Sequence, residues 1–205
     1  MPRALAITGL LLATAACGGG DHAAVEGSVF PEPVERVTPT PDAASRGQSA
    51  VAVELRADGV TIAEQGPGAR NAIPLAFGMD RTRLIAALST VLGPPKLDAR
   101  EDCGAGPMTF ADFGSFTANI QDGTFAGYTA TMDDGVRYTL ATFDPANQTL
   151  AQLKAQIGAE PVESTLENEI VMQTGGGAGI GGFLDREGDD AGLRMVYAGA
   201  TCFYR

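Results

Sequence analysis

The chain has 205 residues, 14 basic against 25 acidic side chains and a formal net charge of −11. That length holds one ordinary domain or two small similar halves, and the acidic balance argues against a nucleic-acid partner, because little is left to neutralise phosphates. One His and three Cys leave little material for a metal site or a His-based triad, so no metal and no cofactor is expected, while 27 Gly and 12 Pro point to turns and linkers rather than a long helical bundle.

Residues 1–16 read as a lipoprotein signal peptide. Met-Pro-Arg gives a short positive start, Ala4 to Leu12 is an apolar run far below the ~20 residues of a spanning helix, and small residues lead to Cys17. The Ala15-Ala16-Cys17 ending resembles the lipobox of bacterial lipoproteins, which implies that Cys17 is acylated and becomes the mature N-terminus; Thr14 stands where Leu is usual. Gly18 follows the Cys in place of the Asp that favours inner-membrane retention in enteric bacteria. The expected location is therefore the cell envelope, lipid-anchored, at the outer membrane facing the periplasm. The lipid would be the sole membrane attachment.

Residues 17–50 carry the lipidated Cys and a tether with Pro31, Pro33, Pro39 and Pro41 among small and polar residues. No apolar period survives there, so the segment cannot bury enough surface to offset its ordering entropy and reads as a disordered spacer. His22, the one histidine, lies in this tether and reads as a solvated residue.

Residues 51–205 read as the folded domain, with repeat halves at about 51–132 and 133–205. Val51–Leu55 alternates, Asp58-Gly59 signals a hairpin turn, and Val60–Ile62 resumes extended character. A helix is predicted over 80–92, capped by Asp80, with Leu84, Ile85, Leu88 and Leu92 as its apolar stripe and Gly93-Pro94-Pro95 as its stop. Extended runs follow at 108–113, 115–121 and 124–132. A two-residue Asp122-Gly123 turn sets Ile120 opposite Phe125, Ala118 opposite Gly127 and Phe116 opposite Thr129. The other face then carries Thr117, Asn119, Gln121, Thr124 and Tyr128, which makes Thr117, Asn119 and Tyr128 the candidate binding residues of a wet sheet face.

The second half runs in the same order. Tyr138–Phe143 is extended, and Asp144-Pro145 opens a helix lined by Leu150, Leu153 and Ile157 before Gly158. Extended runs recur around 168–173, 179–184, 193–198 and 200–204. A shift of 65 residues (85 to 150, 93 to 158) superimposes Ile85, Leu88, Leu92 and Gly93 on Leu150, Leu153, Ile157 and Gly158. The fold class read from this is α+β: a duplicated helix-plus-antiparallel-sheet unit, with the helices on one face of the sheet.

With Cys17 assigned to lipid, Cys103 and Cys202 remain, an even pair in an oxidising compartment. A structural disulfide closing about a hundred residues is the expectation, worth about 4–5 kcal/mol at most on the chain-entropy model; two free thiols are the alternative. A nucleophilic thiol would need a base or a positive environment, whereas Cys103 follows Glu101-Asp102.

Gly177-Ala-Gly179-Ile-Gly-Gly182 fits G-x-G-x-x-G, but a charged turn follows it instead of an apolar helix, so no nucleotide is expected. Asp185, Glu187, Asp189 and Asp190, and likewise Asp133-Asp134-Gly135, read as solvated acidic turns without the EF-hand order. Glu101–Pro107 reads as a disulfide-anchored loop.

Several segments are similar to a family of alphaproteobacterial envelope proteins of unassigned function: Ile73–Gly78, Leu92-Gly93-Pro94, Cys103–Pro107, Gln121–Phe125 and Ala198–Arg205. Members are sometimes labelled aspartate-semialdehyde dehydrogenase, a label for which this chain lacks a nucleotide unit and a Cys–His pair. The duplicated architecture resembles that of the β-lactamase inhibitor protein, and a single unit resembles the small lipoprotein of the outer-membrane barrel-assembly machine; neither likeness carries binding residues. The functional expectation is a non-enzymatic lipoprotein presenting a binding surface to an envelope protein or to peptidoglycan. The alternatives are an inhibitor of a secreted hydrolase, anchored by Tyr128, Tyr138 and Tyr197 where these are exposed, and an enzyme with a pair of carboxylates in a pocket.

Overall fold

Alternating apolar residues separated by glycine turns build two sheets here. The computed structural model describes residues 50–65, 71–132, 136–140, 143–173 and 179–203, all within one compact unit spanning Ala44–Arg205. The signal segment, Cys17, the tether with His22, and Asp133-Asp134-Gly135 lie outside the described residues.

The first sheet begins with β1 (Ala50–Arg56) and β2 (Gly59–Gln65), an antiparallel hairpin turned at Ala57-Asp58. Gly59 has φ +145°, and a Cβ there would run into the backbone of Leu75 and Ala76 on β3 (Ala72–Ala76), which pairs along the outer side of β2. The turn signal and the close approach therefore need the same glycine. β8 (Tyr138–Leu140) joins β1 in parallel, giving the order β3-β2-β1-β8.

The second sheet is antiparallel throughout and has eight strands. They are β4 (Lys96–Arg100), β5 (Met108–Asp112), β6 (Phe116–Gln121), β7 (Thr124–Thr131), β9 (Glu160–Pro161), β10 (Glu169–Gln173), β11 (Gly179–Leu184) and β12 (Leu193–Gly199). Their order is β4-β5-β6-β7-β12-β11-β10-β9, so each run of four enters from an opposite edge and the two meet at β7 and β12.

Helix α1 (Arg81–Leu92) starts where Asp80 accepts the N–H groups of Thr82 and Arg83 at 2.9 and 3.2 Å, and it ends at Gly93. Its Leu84 and Leu88 are fully buried, while Ile85 and Leu92 are half-buried. The second helix departs from the expectation. Asp144 caps only a short 3-10 turn, Pro145–Asn147, and α2 (Leu150–Ile157) begins afresh at Thr149. There Thr149 and Gln152 form a reciprocal capping box, which satisfies two orphan donors and fixes the start of the helix five residues beyond Pro145. Leu84, Leu88, Leu150 and Leu153 share one core with Val53, Leu55, Val60 and Leu75 of the first sheet and with Phe116, Ala118, Ile120 and Val196 of the second.

The register of β6 and β7 also departs from the expectation. Ile120 does face Phe125, but a bulge next to Asn119 shifts the rest by one, so Ala118 faces Tyr128 and Phe116 faces Ala130. The shift moves Tyr128 from the expected wet face into the core, where it is 0% exposed and stacks on Phe116 at 5.7 Å. The irregularity falls where Gly127 of β7 and Gly199 of β12 lie opposite each other. A Cβ at Gly127 would collide with the Ala200 backbone, and Gly199 has φ +72°. Only glycines let the chain leave β12 here and cross the sheet. Residues 200–203, expected to be extended within the sheet, form that crossing segment instead.

Candidate functional site

Because side chains alternate along each strand, the second sheet has a face opposite the core. On it the cross-strand pairs Asp98–Phe110–Asn119 and Asp112–Thr117–Thr129–Tyr197 form rows running from the β4 edge inward. Residues 200–203 cross these rows as a strap. Ala200 N–H donates to Ala126 O at 2.9 Å, and Asn119 Nδ2 donates to Ala200 O at 2.8 Å. Beyond Ala200, Cys202 is bonded to Cys103 in the β4–β5 loop.

Between the strap and β4 the face is hollowed. The hollow measures about 320 Å³ and is lined by Asp98, Arg100 and Phe110 at the edge and by Thr117, Asn119 and Thr129 deeper in, with Asp112 beside them. Cys202 and Phe203 form its far wall. Arg100 is the pivot of the mouth: its guanidinium lies 5.8 Å above the Phe110 ring, and its Nε is 3.9 Å from Asp98 Oδ2. Asp112 accepts the Gly114 N–H at 2.8 Å, so this carboxylate closes a turn as well as lining the hollow. The chemistry on offer is hydroxyls, one amide, a cation beside one carboxylate, a second carboxylate, and an aromatic ring. Such a set can hold a polar chain in extended form by hydrogen bonds and charge pairing.

On the far side of the strap the same face is apolar. Phe183, Tyr197 and Phe203 form a three-ring cluster with centroid distances of 5.4, 5.3 and 5.1 Å. The Tyr197 ring lies flat on Gly181, where a Cβ would fall inside the ring, and its hydroxyl donates to the buried Glu169 carboxylate.

Of the three expected binding residues, Thr117 and Asn119 line the hollow, and Tyr128 does not. Asn119 is 1% exposed, because the strap covers it. Tyr128 donates its hydroxyl to Arg56 O at 3.0 Å on the core side, where burial pushes its phenol well above the ordinary tyrosine range. The Asp58 charge adds to that shift. Sequence reasoning missed Asp98, Arg100, Phe110, Asp112 and Thr129; pairing β5 with β6 in register would have placed Phe110 and Asp112 beside Asn119 and Thr117.

The remaining motifs fall elsewhere. Gly179, Gly181 and Gly182 sit inside β11, not at a helix N-terminus, and Gly177 is outside the described residues. The acidic turn is cross-linked on the surface. Arg186 pairs with Asp185 at 2.7 Å and with Asp190 at 3.2 Å, and Lys154 with Asp189 at 2.6 Å. The three tyrosines that an inhibitor would use as anchors, Tyr128, Tyr138 and Tyr197, are 0%, 2% and 9% exposed. Among the described residues no helix is long and apolar enough to cross a membrane.

Comparison of the chain with protein-family models, with curated proteins and with solved structures finds no match.

Proposed function

We propose that this is a non-enzymatic envelope lipoprotein, anchored through Cys17 and facing the periplasm, whose outer sheet face binds another envelope protein. The observation that carries the reading is the half-open polar hollow from Asp98 to Thr129, walled by Cys202 and Phe203. It is shallow and borders a strand edge, which suits a segment of another protein better than an enclosed small molecule. The inhibitor reading loses its aromatic anchors through their burial. Of the acids lining the hollow, Asp112 accepts the Gly114 N–H and Asp98 lies exposed near Arg100 at the edge, which favours charge recognition over a pair of carboxylates sharing a pocket.

On this reading the architecture is one unit used twice, helix then four strands, with both helices covering the core face of the eight-stranded sheet. The order of strands, two fours meeting at β7 and β12, supports it, as do the glycine stops Gly93 and Gly158 of the two helices. The likeness to alphaproteobacterial envelope proteins and the Ala15-Ala16-Cys17 ending support the location.

The test places a photo-crosslinking residue at Thr117 or Thr129 of the full-length protein in its native envelope, with exposed Ala151 on α2 as control. A discrete protein adduct from the sheet positions, absent from Ala151 and lost in Cys17→Ala, is expected. Co-sedimentation with purified sacculi without any protein adduct would assign the face to peptidoglycan instead. An N-terminal peptide without acyl chains on Cys17 would refute the anchor.

A further inference from the structure

Four strand edges border the two sheets, and three of them are blunted. β3 carries Pro74 at its centre, and β9 is two residues long and ends at Pro161. β8 has three residues, of which Leu140 is already bridged to Phe143. Proline and brevity are the ordinary means by which an edge is kept from recruiting another strand.

β4 has neither. Its five residues pair with β5 in an unbroken register from Lys96–Asp112 to Arg100–Met108, and among the described residues no other strand lies on its far side. All five are exposed, Leu97 at 54%. An extended chain laid along β4 would meet a regular row of backbone donors and acceptors. Its outward side chains would stand beside Asp98 and Arg100, at the mouth of the hollow.

The charges select the occupant. On the hollow side β4 presents Lys96, Asp98 and Arg100, a plus–minus–plus series. A second copy pairing antiparallel over the whole strand would set Lys96 against Arg100 and Asp98 against Asp98, like against like at every position, which destabilises cross-strand pairs. Sliding the copies by two residues relieves the repulsion but leaves only three of the five β4 residues paired. A strand with acidic, basic and acidic side chains at alternate positions, laid antiparallel to β4 like every other pair of this sheet, matches all three charges.

We propose that β4 is a strand-addition site. An extended segment of a partner protein, acidic–x–basic–x–acidic in pattern, joins the eight-stranded sheet as a ninth strand and lines the mouth of the hollow. This rests on the reading of the outer face as a protein-binding surface and names how the partner engages it.

The probe is a capped heptapeptide, Thr-Glu-Val-Lys-Val-Glu-Thr, titrated to millimolar concentration into the Cys17→Ala protein while the backbone amide signals of Lys96–Arg100 are followed by NMR. Shifts confined to β4 and the hollow are expected, and the charge-inverted Lys-Glu-Lys peptide should bind at least about tenfold more weakly. Of two peptides N-methylated at alternate residues, one should lose binding and the other keep it, because only one edge of the added strand faces β4. The exposed triple variant Lys96→Glu/Asp98→Lys/Arg100→Glu should reverse the peptide preference. Equal binding of both charge patterns, tolerance of both methylation registers, absence of shifts, or a dimer already occupying β4 in sedimentation would each overturn the proposal. If the Thr117 and Thr129 crosslinks still capture a protein, only the edge inference falls; if they fail as well, so does the surface reading.

Discussion

Replacing Cys103 and Cys202 together by alanine opens a covalent ring whose ends are 99 residues apart in sequence. The chain-entropy model assigns a ring of about that size a constraint on the unfolded state of about 4.7 kcal/mol at 25 °C. The folded state loses little in return. The strap keeps its Ala200–Ala126 and Asn119–Ala200 hydrogen bonds and its Phe203 ring contacts, and Cys103, 6% exposed, gives up one sulfur. For a domain of this size about 1 kcal/mol moves the thermal midpoint by roughly 2–4 °C, so a fall of about 10–20 °C is expected. The assay is calorimetric unfolding of the double variant beside the parent, both carrying Cys17→Ala so that the lipid plays no part. A fall below about 3 °C would refute the reasoning. The strap would then owe its position to its hydrogen bonds and rings, and the bond would add nothing through the unfolded chain.

Two further predictions rest on single residues. The Tyr128 phenol is held above its unfolded value of about 10, so its contribution to stability is complete below that pH and is lost as pH rises further, at about 1.4 kcal/mol per pH unit. Urea unfolding between pH 8 and pH 11 should show this extra alkaline loss in the parent and not in Tyr128→Phe, which is about 1 kcal/mol less stable at pH 8 because Arg56 O loses its donor; parallel curves would refute it. Gly181→Ala puts a methyl group where the Tyr197 ring lies and should cost about 1–3 kcal/mol. In a Tyr197→Ala background the same change should cost almost nothing, and an equal cost in both backgrounds would show that the ring is not the obstacle.

The parts of this fold that sequence discloses are those fixed by neighbouring residues. Asp80 and Gly93 bound α1 because a capping carboxylate and a positive-φ glycine act within one turn of helix. Asp58-Gly59 and Asp122-Gly123 mark their hairpins for the same local reason, with φ +50° at Asp122 and +75° at Gly123. The start of α2 was equally local: Thr149-x-x-Gln152 is a stronger signal than Asp144-Pro145, which a 3-10 turn satisfies as well. β4 is a different case: Lys-Leu-Asp-Ala-Arg alternates charged and apolar residues, but over only five positions and with two apolar side chains. Both faces stay exposed, so the pattern is too short and too poorly buried to read as a strand.

What sequence could not disclose depends on contacts between residues far apart. The bulge that turns Tyr128 inward falls where Gly127 meets Gly199 and the chain leaves the sheet at Ala200. Between Phe116 and Thr131 Gly127 marks a close approach, but it does not say which segment approaches. The same crossing makes the site. By bringing Ala200 over Asn119 and Cys202 to Cys103, it covers a polar residue that would otherwise face water and walls a flat sheet into a hollow. Asn119 thus changes from a contact residue to a fastening for the strap, and Thr117 and Thr129 are left, with the charged β4 edge, as the reachable polar groups of the hollow.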